Sequence, residues 1–151
     1  MKQGAGLSVW VRLIKAYNMI LPQARRSVEP GFTLPRFDVM VQLYRRPEGM
    51  TFVELSRNLL VSAGNLTGIV KRLEHDRLVA RETNESDRRS ARLRLTPEGR
   101  RRIAAAVPRH ARDIERLFAS VPRGEVEQLR RLLGSLTHAL DRRTDTGGDT
   151  R

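Results

Sequence analysis

Two short amphipathic segments sit side by side in the middle of this chain, and the hydrophobic period changes directly after them. In Thr51-Phe52-Val53-Glu54 a threonine stands three residues before a glutamate. That is the capping-box spacing, in which each side chain satisfies a backbone N–H at a helix start. Phe52, Leu55 and Leu59 give this helix one apolar side. After Leu60-Val61, Ser62 can cap a second helix whose inward stripe is Leu66, Ile69, Val70 and Leu73. Two helices joined by about three or four residues form a helix-turn-helix. At Leu78 the pattern changes: Val79 to Thr83 and Ala91 to Leu95 predict two short strands, the second alternating apolar residues with arginine. Between them Asn84 to Ser90 forms a polar hairpin tip. The fold class is therefore mainly α with a small β-hairpin wing, a winged helix-turn-helix.

The flanks are helical. From Leu7 to Val28 apolar residues recur at helical spacing, and Pro22 inside that run is expected to kink or divide the helix. Glu29-Pro30-Gly31 breaks it. Thr33 can cap the next helix, with Pro35 in its first turn and Phe37, Met40, Val41 and Tyr44 on one face. Beyond the strands, Thr96-Pro97 restarts a helix carrying Ile103, Val107, His110, Ile114 and Leu117, interrupted at Pro108. Val121-Pro122 opens a last one carrying Leu129, Leu132, Leu133, Leu136 and Leu140. Segments 7–32 and 97–142 lie outside the compact lobe 33–96, and their apolar stripes need a partner. A second copy of the chain is the simplest one, so they are expected to be N- and C-terminal dimerisation helices of a single domain, 1–142. The Thr-, Asp- and Gly-rich tail, 143–151, has nothing to bury and is expected to be disordered.

Composition narrows the chemistry. There is no cysteine, which excludes disulfides and thiolate metal sites. No run approaches the roughly 20 apolar residues of a membrane span, and the first six residues lack the form of a signal peptide. The expected address is the cytoplasm, with no membrane partner. No phosphate-binding loop, nucleophile elbow or histidine pair at metal spacing occurs, so no catalytic residue, metal or cofactor is expected and the chain is not read as an enzyme. The formal net charge of +12 favours a polyanionic partner. The excess is spread along the chain and is not concentrated in the lobe.

An α-helix fits the major groove of duplex DNA, where base edges differ in donor and acceptor pattern. With Leu66, Ile69, Val70 and Leu73 turned inward, the other side of the second helix presents Ser62, Gly64, Asn65, Thr67, Gly68 and Lys71, with Arg72 beside them. The short polar residues suit base edges and phosphates, and the glycines permit close approach. Ser62 serves equally as a helix cap, and Gly64 and Gly68 could instead relieve crowding within the protein. In the hairpin tip Arg88 and Arg89 can reach a phosphate backbone or a minor groove, with Asp87 orienting an arginine. A solvated charged turn is the plainer alternative.

Val61-Ser62-Ala63-Gly64-Asn65-Leu66-Thr67-Gly68-Ile69-Val70-Lys71-Arg72-Leu73-Glu74, followed by Asp87-Arg88-Arg89-Ser90 and Leu95-Thr96-Pro97-Glu98-Gly99, resembles the MarR family of transcription regulators. The resemblance spans about residues 7–142. It implies a homodimer with two winged lobes, a pseudo-palindromic double-stranded DNA operator, repression, and release by a small, often phenolic ligand. Asp87 and Arg89 match the family's wing Asp-x-Arg pair, whose arginine enters the minor groove; Arg88 falls at the variable position. With no cysteine and only His75, His110 and His138, widely spaced, neither the peroxide-sensing nor the zinc-sensing variant is expected.

A regulator must bind its effector unequally in two shapes. The crevice expected to do so lies between the first two helices and the fifth, with Trp10, Tyr17, Phe37, Met40, Tyr44 and His110 as walls and Arg12 or Arg36 near its mouth. Core and dimer packing is the plainer reading of each aromatic. Aromatic walls with cations suit an aromatic acid or its coenzyme A thioester, in keeping with a resemblance of the Gly-Asn-Leu-Thr-Gly stretch to family members of aromatic-compound catabolism. The alternative is a winged-helix module that binds RNA or a protein partner without ligand control.

Overall fold

The computed structural model describes residues 4–59, 63–84 and 87–146 of the 151-residue chain, with the backbone alone at 63, 83–84, 87–90 and 143–146. In order, the elements are α1 (Ala5–Arg26), α2 (Leu34–Arg45), β1 (Met50–Thr51), α3 (Phe52–Asn58), α4 (Ala63–His75), β2 (Val79–Asn84), β3 (Asp87–Leu95), α5 (Pro97–Leu117) and α6 (Arg123–Thr146). The chain divides into two compact units, 1–114 and 115–151. No helix among the described residues is long and apolar enough to cross a membrane.

The core belongs to the first unit. Phe37, Val39, Met40 and Leu43 of α2, Leu55 of α3, Leu66, Val70 and Leu73 of α4, Leu93 of β3 and Ile103 of α5 are all buried. Both expected stripes thus face inward. Thr51 caps α3 as the spacing requires: its Oγ1 accepts from the Glu54 N–H at 3.2 Å, and the Glu54 carboxylate accepts from the Thr51 N–H at 2.7 Å. The Thr51 N–H and, at 3.1 Å, the Thr51 hydroxyl both donate to that carboxylate and hold it below its usual range.

Three expectations need correction. Pro22 does not divide α1 and Pro108 does not interrupt α5, each lying inside a continuous helix. The strands run further than the apolar alternation, so Asp87, Arg88 and Arg89 belong to the backbone of β3, not to a loop. Finally, the wing is three-stranded and antiparallel in the order β1-β3-β2, because Met50 and Thr51 pair with Leu93 and Arg92.

That third strand explains the arginines of β3. Arg92 donates to the Gly49 carbonyl at 2.9 Å and Arg94 to that of Glu48 at 3.1 Å, while Arg94 also pairs with Glu82 at 3.2 Å. They fasten the wing to the 48–49 turn. Gly49, at φ +80°, fits there because a Cβ would meet Arg94 Cγ at 2.6 Å and the Leu93 oxygen at 2.8 Å.

The end of α4 is closed by a Schellman motif. The Leu78 N–H bonds to the Leu73 carbonyl and the Arg77 N–H to that of Glu74, with Arg77 at φ 58° and both leucines buried. Leu78 then lies against the start of α5. The Thr96 N–H donates to the Leu78 carbonyl at 3.1 Å, and the Thr96 hydroxyl donates to that of Arg77 at 2.7 Å. Gly99 sits so close that a Cβ would stand 2.0 Å from the Leu78 oxygen. Helix pair, wing and α5 are therefore one connected lobe, a winged helix-turn-helix.

Candidate nucleic-acid interface and effector cavity

On α4 the buried stripe leaves one continuous exposed face: Gly64, Asn65, Thr67, Gly68, Lys71 and Arg72, at relative positions 0, 1, 3, 4, 7 and 8. This is the residue set expected to meet DNA, except Ser62, which lies outside the described residues. A Cβ at Gly64 or Gly68 meets nothing within 4 Å. Crowding within the chain therefore does not account for these glycines. The backbone places Asp87, Arg88 and Arg89 next to the residue-85–86 end of the wing, where Asp87 pairs with Asn84.

The expected effector residues divide into three groups. Trp10 and Tyr17 are 59% and 60% exposed on α1, where Arg12 bonds to Ser8. They line no described cavity. Phe37, Met40, Tyr44 and His110 belong to the α2–α5 packing. Met40 is fully enclosed, and the half-buried Tyr44 ring carries the Arg100 guanidinium at 5.2 Å. His110 stacks at a tilt on Phe37, centroids 4.6 Å apart. Its Nδ1 lies 2.6 Å from the buried Ser27 hydroxyl, which donates to the Ala24 carbonyl at 2.8 Å. Ser27 has one proton to give, so Nδ1 is the protonated nitrogen and Nε2 is left as the acceptor. Partial burial depresses the His110 pKa against the opposing pull of Asp38 and Asp113. Burial raises that of Asp38, against the pull of His110.

Arg36 stands elsewhere. It ion-pairs with Asp76, just past the end of α4, and its side chain is only 14% exposed. Its Nε is buried with no hydrogen-bond partner among the described residues. With Thr33 it borders a cavity of about 150 Å³ whose other walls are Asn65, Gly68, Ile69 and Arg72. It thus sits beside the exposed face of α4.

A larger cavity, about 430 Å³, went unnoticed in the sequence. Glu29, Glu98, Arg101, Arg102, Ala105, Ala106 and Arg109 line it. Arg102, Ala105, Ala106 and Arg109 follow the i, i+3, i+4, i+7 rule of one helix face, a signal the sequence did contain. An adjoining cleft too tight for water shares Glu29, Arg102 and Ala106 and adds Phe32, Phe37 and Ile103. Aromatic rings and guanidinium groups thus meet at one place, on residues other than most of those expected. No cluster of three metal-ligating side chains occurs among the described residues.

Residues 32–91 match the MarR family. The chain is 34% identical over 106 residues to YkoM of Bacillus subtilis, an uncharacterized helix-turn-helix transcriptional regulator, covering 70% of this chain and 68% of that one. It is 38% identical to the transcriptional activatory protein BadR of Rhodopseudomonas palustris over 61% of this chain and 54% of BadR. Among solved structures, CouR of Rhodococcus jostii RHA1, bound to p-coumaroyl-CoA, superimposes with a TM-score of 0.75 at 26% identity, covering 89% of this chain and 95% of CouR. The winged lobe, the exposed face of α4 and these relatives agree: the chain belongs to the MarR family of DNA-binding transcription regulators.

Proposed function

We propose that the protein is a cytoplasmic homodimeric repressor that binds a pseudo-palindromic duplex operator and is released by a small aromatic anion, an aryl carboxylate or its coenzyme A thioester, without catalysing a reaction. The observation that carries the reading is the face of α4, where short polar and basic residues flank two glycines with open space above them. In this reading the N-terminal half of α4 enters the major groove and Arg89, oriented by Asp87, enters the minor groove. Ser62, Gly64, Asn65, Thr67, Gly68, Lys71 and Arg72 make the base and phosphate contacts, and Arg88 adds charge.

A homodimer is supported by apolar side chains exposed in each unit. Leu7, Trp10, Ile14 and Tyr17 lie open on α1, and Leu129, Leu132, Leu136 and Leu140 on α6. A two-fold dimer sets two half-sites about one helical turn apart. The aromatic anion is supported by the meeting of Phe32, Phe37 and His110 with arginines in the first unit, and CouR is a structural neighbour that holds an aryl-CoA. BadR, named as an activator, favours a second reading, in which the bound protein recruits transcription.

Fluorescence anisotropy on genomic fragments selected by the purified protein tests the core claim. Arg89→Ala should weaken binding on all sites and reduce the salt slope by about one. Asn65→Ala should relax preference at particular bases by roughly 1–3 kcal/mol. Equal affinity for single-stranded RNA of the same sequence would overturn the duplex reading. A promoter reporter whose output falls when the gene is deleted would replace repression with activation.

A further inference from the structure

The 430 Å³ cavity on α5 has an unequal charge balance and a physical connection to α4. Glu29 pairs with Arg102 at 3.5 Å and Glu98 pairs with Arg101, which leaves Arg109 as the guanidinium with no ion pair among the described residues. Ala105 and Ala106 lie on the same helix face, so the space between the cations is not filled by side chains. Three cations against two carboxylates, in a space large enough for a small molecule, suit a ligand with at least one negative charge. Arg102 also lies over the Phe32 ring at 4.6 Å from its centroid. Arg36 lies over the same ring at 5.2 Å and ion-pairs with Asp76, which follows α4 directly.

We propose that this cavity holds the anionic group of the effector, carboxylate or phosphate, and that Phe32, Arg36 and Asp76 carry its occupancy to the DNA-reading helix. The proposal rests on the reading of the protein as an effector-controlled regulator. An anion between Arg109 and Arg102 competes with Glu29 and draws the Arg102 guanidinium off Phe32. The ring then loses one of its two cations and can repack against Arg36. Arg36 already has a buried, unpartnered Nε, so the arrangement that holds Asp76 is not its best possible one. A moved Arg36 releases the end of α4. This gives the ligand the differential contact with two shapes that any shift of population requires.

Calorimetry on the full-length protein, with benzoate, benzoyl-CoA, coenzyme A and inorganic phosphate as separate probes, tests the site. Anisotropy on a selected DNA fragment tests the connection. A probe that releases DNA should bind Arg109→Gln at least about tenfold more weakly, with DNA affinity in its absence unchanged. Phe32→Leu should lose the release even at probe concentrations that saturate the variant in calorimetry, and Phe32→Tyr, which retains the ring, should restore it. Benzoate acting without phosphate would make the anionic group a carboxylate, whereas coenzyme A competing with benzoyl-CoA would make it a phosphate. Release that persists unchanged in both Arg109→Gln and Arg102→Gln would overturn the cavity while leaving effector control intact. Release intact in Phe32→Leu would overturn the connection alone. No binding of any probe to the unmodified protein would end both this proposal and the aromatic-anion reading beneath it.

Discussion

Replacing Gly99 by alanine puts a methyl group where the Leu78 carbonyl oxygen already stands, 2.0 Å from the ideal Cβ. Carbon–oxygen contacts close to about 3.3 Å at their shortest, so the two backbones must part by about 1.3 Å. Both are held firmly. Leu78 is the last residue of the Schellman motif and is itself buried, and Thr96 bonds to the carbonyls of both Arg77 and Leu78. Overpacking of this kind costs about 1–3 kcal/mol. Stretching the two Thr96 bonds forfeits up to about 1 kcal/mol each. Against that, alanine gains at most about 1 kcal/mol of helix propensity at the third position of α5. The expected net loss is about 2–3 kcal/mol, or about 6–9 °C in the melting temperature of a chain this size. Urea and thermal unfolding of Gly99→Ala measure it, with Gly134→Ala, whose Cβ meets nothing within 4 Å, as the control. A Gly99→Ala melting temperature equal to that of the control would refute the claim that this contact sets how closely α5 approaches the wing.

Gly68→Ala should stabilise the free protein by about 0.5–1 kcal/mol while weakening its hold on DNA; calorimetric unfolding and anisotropy read the two effects, and unchanged DNA affinity would show that nothing approaches closely there. Arg77→Gly should stabilise by about 1 kcal/mol, because a side chain is held at φ 58°; chemical denaturation tests it, and a loss of stability would contradict the motif at the end of α4. His110 titrates below its ordinary 6.5 in the folded protein, so folding favours its neutral form. Its contribution is present above 6.5 and is lost as pH falls through the depressed folded value. The raised carboxyl of Asp38 acts in the opposite sense, at more acid pH. Stability should thus drop between pH 7 and 5, and drop less in His110→Phe. Leu132→Glu should shift the proposed dimer toward monomer in sedimentation equilibrium, and an association state unchanged by it would move the interface off that stripe.

What could be read in the sequence was what local chemistry determines. The stripe Leu66/Ile69/Val70/Leu73, the Thr51–Glu54 box and the Thr96 cap each depend on residues within about one helical turn, and each is present in the structure. Met50–Thr51 was missed because two residues have no period; the strand exists through its pairing with Leu93 and Arg92, some forty residues on. Pro22 and Pro108 misled because a proline removes one bond from a helix without always ending it. The placement of Arg36 depended on Asp76, forty positions away, which no spacing rule connects. The α5 cavity shows the reverse case. Its spacing was visible at Arg102, Ala105, Ala106 and Arg109, but a run of arginines on a helix more often faces solvent, and Glu29, arriving from the turn between α1 and α2 some seventy residues earlier, supplies the facing wall.

The two-residue strand β1 also bears on how such a lobe can be exchanged. By pairing with β3 it closes residues 50–93 into a loop of chain whose ends are paired with each other, with the helix-turn-helix and most of the wing inside. Helix α4 transplanted alone would inherit a foreign register at both ends. A cassette cut just before Met50 and just after Leu95 carries its own clasp, and the Glu48–Gly49 carbonyls are the anchor of Arg92 and Arg94 it must find again in the host. New DNA specificity should therefore graft best at that seam, with the core-facing residues of α2 and α5 held constant.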